Sequence, residues 1–323
     1  MGSTASNPIF LLQKIVQRVI YPINPYWTAN IYGFGKWIRR YGYYPPCLPL
    51  CIFTDHGPGD SGYSPYPLEL NSSAPAQFYH TKSSVARWKD VSRKPCYILY
   101  SPFVFARHTL GIERNNSAHG TIFFVAHSTS SIHENKAVDA YHQELSALPE
   151  RFAPVTICLH IHDVRKGLDR KYLERGYRVV TAGDSLDQRF TERFYSLVRQ
   201  HKYALSNLFG SYGLYATEMG IPFGLYGTPP EYYSQGDSNN EKGEYTSYRN
   251  TPYYQRAIEL FDGLPGESVA PEQVEFSHCY LGMNDGITRS EMSRVLYKSL
   301  IVWAASPIMS FFRTWFQTSN ATK

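Results

Sequence analysis

Between residues 121 and 226, short apolar runs alternate with longer segments in which apolar positions recur three and four apart. The runs at 121–126, 155–160, 178–181, 203–206 and 222–226 are separated by helix-like segments at 137–147, 168–175, 187–200 and 211–219. This alternation predicts right-handed βαβ units and a parallel, doubly wound sheet. Upstream the pattern is thinner. Residues 8–21 place Phe10, Leu11, Ile15, Val19 and Ile20 on one side and Lys14, Gln17 and Arg18 on the other, predicting an amphipathic helix. The aromatic and basic cluster that follows, ending in Lys36, Trp37, Arg39, Arg40, Tyr41, Tyr43 and Tyr44, suits two placements: a flank packed on the body, or a segment at a bilayer interface.

Strands are expected at 48–54 and 96–101, with a polar, Ser- and Pro-rich stretch of weak periodicity between them. Residues 229–253, rich in Pro, Tyr, Ser, Gly, Asn and Glu, predict a long surface loop. Helices are expected at 253–262 and 289–303, and residues 307–316 are aromatic and apolar with a single arginine. The expected organisation is a helical flank (1–46), a small α/β domain on the acceptor side (47–118), a Rossmann-like nucleotide-binding domain (119–288) and a terminal helical segment (289–323).

Composition narrows the partners. Of 323 residues, 43% are hydrophobic and 15% aromatic, which excludes a disulfide-stapled module and a largely disordered chain. The 27 tyrosines outnumber the 5 tryptophans, so most of the polar-tipped aromatic surface is phenolic and can pack and hydrogen-bond at once. Lys+Arg exceeds Asp+Glu by 32 to 27, and a net charge of +5 spread over this length is not the basic stripe of a nucleic-acid binder. Cys47, Cys51, Cys96, Cys158 and Cys279 form no C-x-x-C pair and read as reduced, largely buried thiols of a cytoplasmic protein. A polar start and the charges that interrupt the next apolar stretch predict no secretory leader. No window reaches the roughly 18–20 uninterrupted apolar residues of a membrane span.

Ligands of an open parallel sheet bind beyond the carboxyl ends of its strands, and four such junctions here are polar. Ser206-Asn207-Leu208-Phe209-Gly210-Ser211 leads from a strand into a helix whose N-terminal N–H groups, backed by the helix dipole, form an anion site. Ser206, Asn207 and Ser211 are equally good caps and turn formers. At Ala126-His127-Ser128-Thr129, the hydroxyls of Ser128 and Thr129 can hold phosphate or ribose, and His127 can donate to a phosphoryl oxygen. In His160-Ile161-His162-Asp163-Val164-Arg165, strand spacing would point His160 and His162 the same way, making His162 and Arg165 part of a cleft wall. Asp163 would face away, so no metal site is expected. Ala182-Gly183-Asp184 is placed to face a base or sugar. In the first domain, Asp55-His56-Gly57 follows a buried strand directly and leads into a flexible turn. Either Asp55 or His56 there can act as a general base on an acceptor hydroxyl, or the pair is only an Asx-turn with its neighbour. P-loop and G-x-S-x-G signatures are missing, and the regular strand at 121–126 is not followed by G-x-G-x-x-G, a context that Gly57-Pro58-Gly59 does not supply, which weakens kinase, dehydrogenase and α/β-hydrolase readings.

The runs PVTICLHIHDVRKGLDRKYLERGYRVVTAGDSLD and YALSNLFGSYGLYATEMGIPFGLYG, with FFVAHSTSSIHEN before them, resemble the nucleotide-binding half of GT-B glycosyltransferases, and are similar to a group of bacterial surface-polysaccharide proteins. The resemblance covers about 110 residues. It implies a GT-B-like architecture, two Rossmann-like domains facing across a cleft, with metal-independent transfer from a sugar nucleotide to a saccharide or lipid-linked saccharide acceptor, in capsule or lipopolysaccharide assembly. Gly210 and Ser211 would hold donor phosphate, with Ser206 and Asn207 shaping their turn. By similarity to bacterial sialyl- and Kdo-transferases, Asp55 and Gly57 would match the turn that carries the base, and His127 the turn that meets the CMP phosphate. Tyr215 stands where many UDP-sugar enzymes carry a ribose-binding glutamate, which favours a CMP-sugar slightly over a UDP-sugar. The expected location is the cytoplasm, at the inner membrane face if the aromatic flanks touch lipid. The competing expectation is a non-catalytic nucleotide- or glycan-binding member of a polysaccharide assembly complex.

Overall fold

The computed structural model of the chain describes residues 24–320, except positions 56, 61, 63–64, 127–131, 135–137, 235–242 and 245–246. The amphipathic segment expected at 8–21 lies outside these residues. A 3-10 turn, Trp27–Gly33, leads into helix α1 (Phe34–Tyr41). The aromatic and basic flank packs on the body: Phe34, Trp37, Ile38 and Arg39 are buried. The Arg39 guanidinium donates to the Leu48 carbonyl from Nε (3.1 Å) and Nη2 (2.9 Å), and to Asn24 Oδ1 at 2.6 Å. A buried cation held by three charge-assisted hydrogen bonds is tolerated where a bare one is not.

Strands β1 (Phe53–Thr54), β2 (Gln77–Tyr79) and β3 (Cys96–Ile98) form a parallel sheet in that order. Helices α2 (Pro67–Leu70) and α3 (Lys82–Val91) lie on its crossovers, so the stretch expected to be featureless carries three elements. Its central strand starts at buried Gln77 and has no apolar run to betray it. Helix α3 begins where the Thr81 hydroxyl accepts the Ser84 N–H at 3.1 Å, and its only buried apolar side chains are Val85 and Trp88, three apart, beside Tyr79. Helix α4 (Pro102–Leu110) follows β3, with Ser101 as its cap and Pro102 in the first turn.

The second half is the expected α/β sheet. Strands β4 (Thr121–Phe124), β6 (Val155–Cys158), β7 (Arg178–Val180), β8 (Tyr203–Ser206) and β9 (Phe223–Leu225) are all parallel, in the order β7-β6-β4-β8-β9. Helices α5 (Val138–Ser146), α7 (Leu168–Leu173), α8 (Phe190–Val198) and α9 (Ser211–Glu218) match the four expected segments, trimmed at their ends. A further short helix, α6 (Ile161–Arg165), begins where continued strand was expected. The 229–253 region is not wholly loop: β10 (Tyr232–Ser234) pairs antiparallel with both β5 (Ile132–Glu134) and β11 (Gly243–Glu244).

Helices α10 (Pro252–Phe261), α11 (Pro271–Tyr280) and α12 (Arg289–Asn320) complete the described chain. Helix α12 runs straight past the end expected at 303. Proline 307 has no N–H for the Trp303 carbonyl, and the Ser306 hydroxyl donates to that carbonyl instead, at 2.8 Å. No helix among the described residues is long and apolar enough to cross a membrane.

One contiguous buried cluster spans both sheets, from Phe78 and Leu99 through Phe103 to Phe124, Phe194 and Phe223. Charge joins them as well. Arg107 on α4 donates to Glu218 on α9 from Nη2 (2.6 Å) and Nε (2.9 Å), with the Glu218 side chain only 2% exposed. Replacing Arg107 by Ala removes both of these bonds and leaves that carboxylate only the His108 ring at 3.1 Å. The expected loss is about 3–5 kcal/mol, read as a lowered urea midpoint with an unchanged m-value.

Candidate functional site

In strand order the five-stranded sheet reads third, second, first, fourth, fifth, so the chain reverses direction between β4 and β8. The carboxyl ends are level there, because Phe124 pairs with both Cys158 and Ser206. Crevices at such switch points collect ligands. Here a cavity of about 530 Å³ opens, lined from one side by residues after β4, β6, β7 and β8 and from the other by the Asp55–Asp60 turn after β1. Its size is that of a small-molecule site.

The sheet side is shaped by two polar clamps. The Ser206 hydroxyl, fully buried, donates to the Phe124 carbonyl at 2.7 Å and accepts the Leu208 N–H at 3.2 Å. Asn207 accepts the Ala126 N–H at 3.0 Å and donates to the Tyr141 hydroxyl at 2.7 Å. Both side chains are therefore engaged in holding the ends of β4 and β8, and neither lines the cavity. They shape the turn, as one of their two expected roles had it. Gly210 and Ser211 do line it. Gly210 caps α9 in an extended conformation with no side-chain cap bond, so the first N–H groups of α9 have no intrahelical partner, apart from the Gly213 N–H turned back to the Gly210 carbonyl at 2.9 Å. A Cβ at Gly210 would stand 2.8 Å from the Tyr212 ring, which itself stacks on Phe124 at 4.7 Å.

The histidine turn is arranged differently from the expectation. β6 ends at Cys158 and His160 caps α6, its Nδ1 accepting the His162 N–H at 3.3 Å. Strand alternation does not reach this far, because the backbone has already turned helical. His160 lines the cavity, while His162 and Arg165 are exposed and lie outside its lining. Arg165 is spent on Asp184 at 2.6 Å. Asp163, expected to face away from a ligand, is buried. Gly183 lines the cavity with φ at +95°, a backbone that favours glycine, and Arg193 Nη2, the tip of a flexible side chain, lies 2.8 Å from where its Cβ would be.

On the opposite side, Asp55 is buried, lines the cavity and donates its N–H to the Phe78 carbonyl at 2.8 Å. Gly57 lines it too. The turn is not loose. Asp60 is gripped by Arg87 and accepts from the Ser83 hydroxyl at 2.5 Å. Gly59 and Gly62, at φ +126° and +77°, lie against Tyr253 and Thr251, where a Cβ would come within 3.1 and 3.0 Å. Tyr232, Tyr253 and Tyr254 thereby close the cavity over the turn. From sequence the tyrosine-rich stretch at 232–254 suits a carbohydrate-stacking lip of the cleft as well as packing, with no single tyrosine marked out, and these three line the cavity. His56, His127, Ser128 and Thr129 lie outside the described residues.

Cys158 also lines the cavity, but burial pushes its thiol up to about 12, so it is neutral at physiological pH and no nucleophile. Cys47 and Cys279 are exposed, contrary to the expectation of largely buried thiols, and Cys51 and Cys158 are buried. Among the described residues no cluster of three or more His, Cys, Asp or Glu side chains is arranged to hold a metal ion. One cavity is thus lined both by Asp55, after β1, and by Gly210 and Ser211 at the start of α9, where the helix dipole is positive.

No protein-family model matches the chain, and no curated protein matches its sequence.

The Asn207 clamp yields a direct prediction. Asn207→Ala leaves the Ala126 N–H and the Tyr141 hydroxyl without this partner in a buried setting, and is expected to lower stability by about 1–3 kcal/mol. Hydrogen exchange at Ala126 should speed up in step, while exchange within β1–β3 stays as it was. In the same folded protein, iodoacetamide at neutral pH should label Cys47 and spare Cys158, as read by peptide mass spectrometry.

Proposed function

We propose that the protein is a GT-B-like glycosyltransferase that moves a sugar from a nucleotide-activated donor to a saccharide acceptor, as its resemblance to surface-polysaccharide enzymes implies. The observation that carries the proposal is the facing of Asp55 and the Gly210-Ser211 helix start across one cavity at the switch point of a parallel sheet. Transfer needs a base where the acceptor attacks and positive potential where the leaving group departs. These are the two poles of the cleft.

In this mechanism the acceptor hydroxyl gives its proton to the Asp55 carboxylate as its oxygen bonds to the anomeric carbon. The bond from that carbon to the donor phosphate breaks, and its electron pair leaves with the phosphate. The first N–H groups of α9 and the Ser211 hydroxyl stabilise the charge that grows there. The clamps at Ser206 and Asn207 keep these donors in place before the donor arrives, so little reorganisation falls in the transition state. Tyr232 and Tyr254 supply rings over the cleft suited to a sugar or base face. His127, which follows β4 in sequence, is assigned to the same phosphate on the resemblance, the hydroxyls of Ser128 and Thr129 to phosphate or ribose by their place in the same turn, and His56 is the alternative base.

Asp55→Asn keeps the shape of the turn and removes the base. It is expected to lower transfer by roughly 100- to 10,000-fold while leaving nucleotide binding intact, measured by product formation and by thermal shift with CMP, UDP, GDP, ADP and their sugar conjugates. Unchanged turnover removes Asp55 from the mechanism. Stabilisation by none of the nucleotides removes the transferase, and binding without transfer or donor hydrolysis by the unaltered protein leaves a binding protein in its place.

A further inference from the structure

Helix α12 has two halves of different character. Its root is anchored: Met292, Val295, Leu296 and Ser299 are buried at helical spacing, and Tyr297 meets the Tyr44 ring at 5.0 Å. At Ile301 the anchoring stops. Ile301, Val302 and Trp303 are 68%, 43% and 38% exposed, and Ala304 is exposed as well. Successive residues of an α-helix are turned by about 100°, so four in a row cover every side of it. The helix has therefore left the body with apolar groups all round. The sequence continues in kind: residues 301–316 include Trp303, Ile308, Met309, Phe311, Phe312, Trp315 and Phe316, and their one charged residue is Arg313.

A groove on another protein, or the same helix of a second copy, covers one stripe of such a helix and leaves the rest in water. A lipid phase covers all sides. The 16 residues from 301 to 316 extend about 24 Å as a helix, short of the roughly 30 Å hydrocarbon core, so they reach into a bilayer without crossing it. Just below the apolar half, Arg294 and Lys298 are exposed one turn apart, placed to meet phosphate headgroups while the distal half enters the acyl region. We infer that the distal half of α12 is a monotopic anchor that inserts into a bilayer carrying anionic lipid without crossing it. The anchor is independent of what the cleft does.

The test uses the full-length protein and vesicles of phosphatidylcholine with and without phosphatidylglycerol. Co-sedimentation with the anionic vesicles is expected, weakening as salt is raised. The pair Ile301→Glu with Trp303→Glu should reduce it by about tenfold or more, and Arg294→Glu with Lys298→Glu should reduce binding to anionic vesicles selectively. These positions are exposed, so the thermal midpoint should not move and a folding defect is recognised if it does. In that event Ile301→Ser with Trp303→Ser serves as the milder pair, with the same loss expected. No co-sedimentation of the unaltered protein, or binding indifferent to the substitutions at 301 and 303, overturns the inference. So does a dimer in sedimentation velocity that those substitutions dissolve, without any vesicle binding, since it assigns the helix to a second copy.

Discussion

Phe103, on the first turn of α4, is the contact on which the arrangement of the two sheets depends. Its ring stacks on Tyr215 of α9 at 4.5 Å with the planes 10° apart, and it meets Tyr32, Phe34, Phe190, Phe194 and Tyr195 within 6.2 Å, most of them edge to face. Each such pair contributes about 0.5–1.5 kcal/mol beyond the area it buries. Together these residues come from the entry turn, α1, α4, α8 and α9, so one side chain fixes elements of both halves. Phe103 and Tyr215 also floor the cleft. The Arg107–Glu218 pair lies further along α4 and α9 and sets the rotation of one helix against the other. A cleft with a buried carboxylate on one wall and a helix start on the other requires such a rigid floor. Without it, water would fill the gap and weaken both poles.

The same packing explains which parts of the fold were legible in the sequence. Strands β4, β8 and β9 of the five-stranded sheet are buried throughout, and strands buried on both faces must be nearly continuous in apolar residues, as Thr121–Phe124 and Tyr203–Ser206 are. The three-stranded sheet is smaller, and its middle strand is half polar. Gln77 and Tyr79 are both buried through tertiary contacts, the Tyr79 hydroxyl donating to Glu69 at 2.7 Å, and a local pattern cannot announce a contact of that sort. Helix α4 is a different case. Ser101-Pro102 is a start signal in plain view, and it was masked only because the strand before it was drawn too long.

Of the expected site residues that are described, Asp55, Gly183, Gly210 and Ser211 line the cavity, and His162, Arg165, Ser206 and Asn207 do not. Gly183 is held at φ +95° and Gly210 lies against the Tyr212 ring, where a Cβ would stand 2.8 Å away, constraints that act directly on sequence. Ser206 and Asn207 show the ambiguity of small polar residues at a strand end: their hydrogen-bonding groups suit a phosphate and a neighbouring backbone equally well, and here the backbone takes them. The exchange of His162 for His160 comes from one geometric fact, that β6 stops at Cys158 and helical rotation replaces strand alternation two residues later. The tyrosine excess divides along similar lines. Tyr215 and Tyr253 are held neutral by burial and belong to the core side of the cleft, whereas Tyr233 and Tyr43 remain in water.

The root of α12 and the floor of the cleft are linked through short helices. Gly42, which ends α1, has room for no Cβ, because Met292 and Leu296 would stand 2.8 and 2.9 Å from it. Arg289 reinforces the junction by donating to the Tyr41 and Arg40 carbonyls and laying its guanidinium 3.9 Å over the Tyr43 ring. At the other end of α1, Phe34 meets Phe103 at 5.8 Å, edge to face. Close packing transmits position with little slack, so the direction in which α12 leaves the body is tied to the cleft floor through α1 and, by the Arg289 guanidinium 5.4 Å over the Phe105 ring, through α4 as well. A larger residue at 42 would tilt α12 before it disturbed Asp55 or the start of α9. The orientation of the helix and the chemistry of the cleft are therefore separable by substitution, even though they rest on the same core.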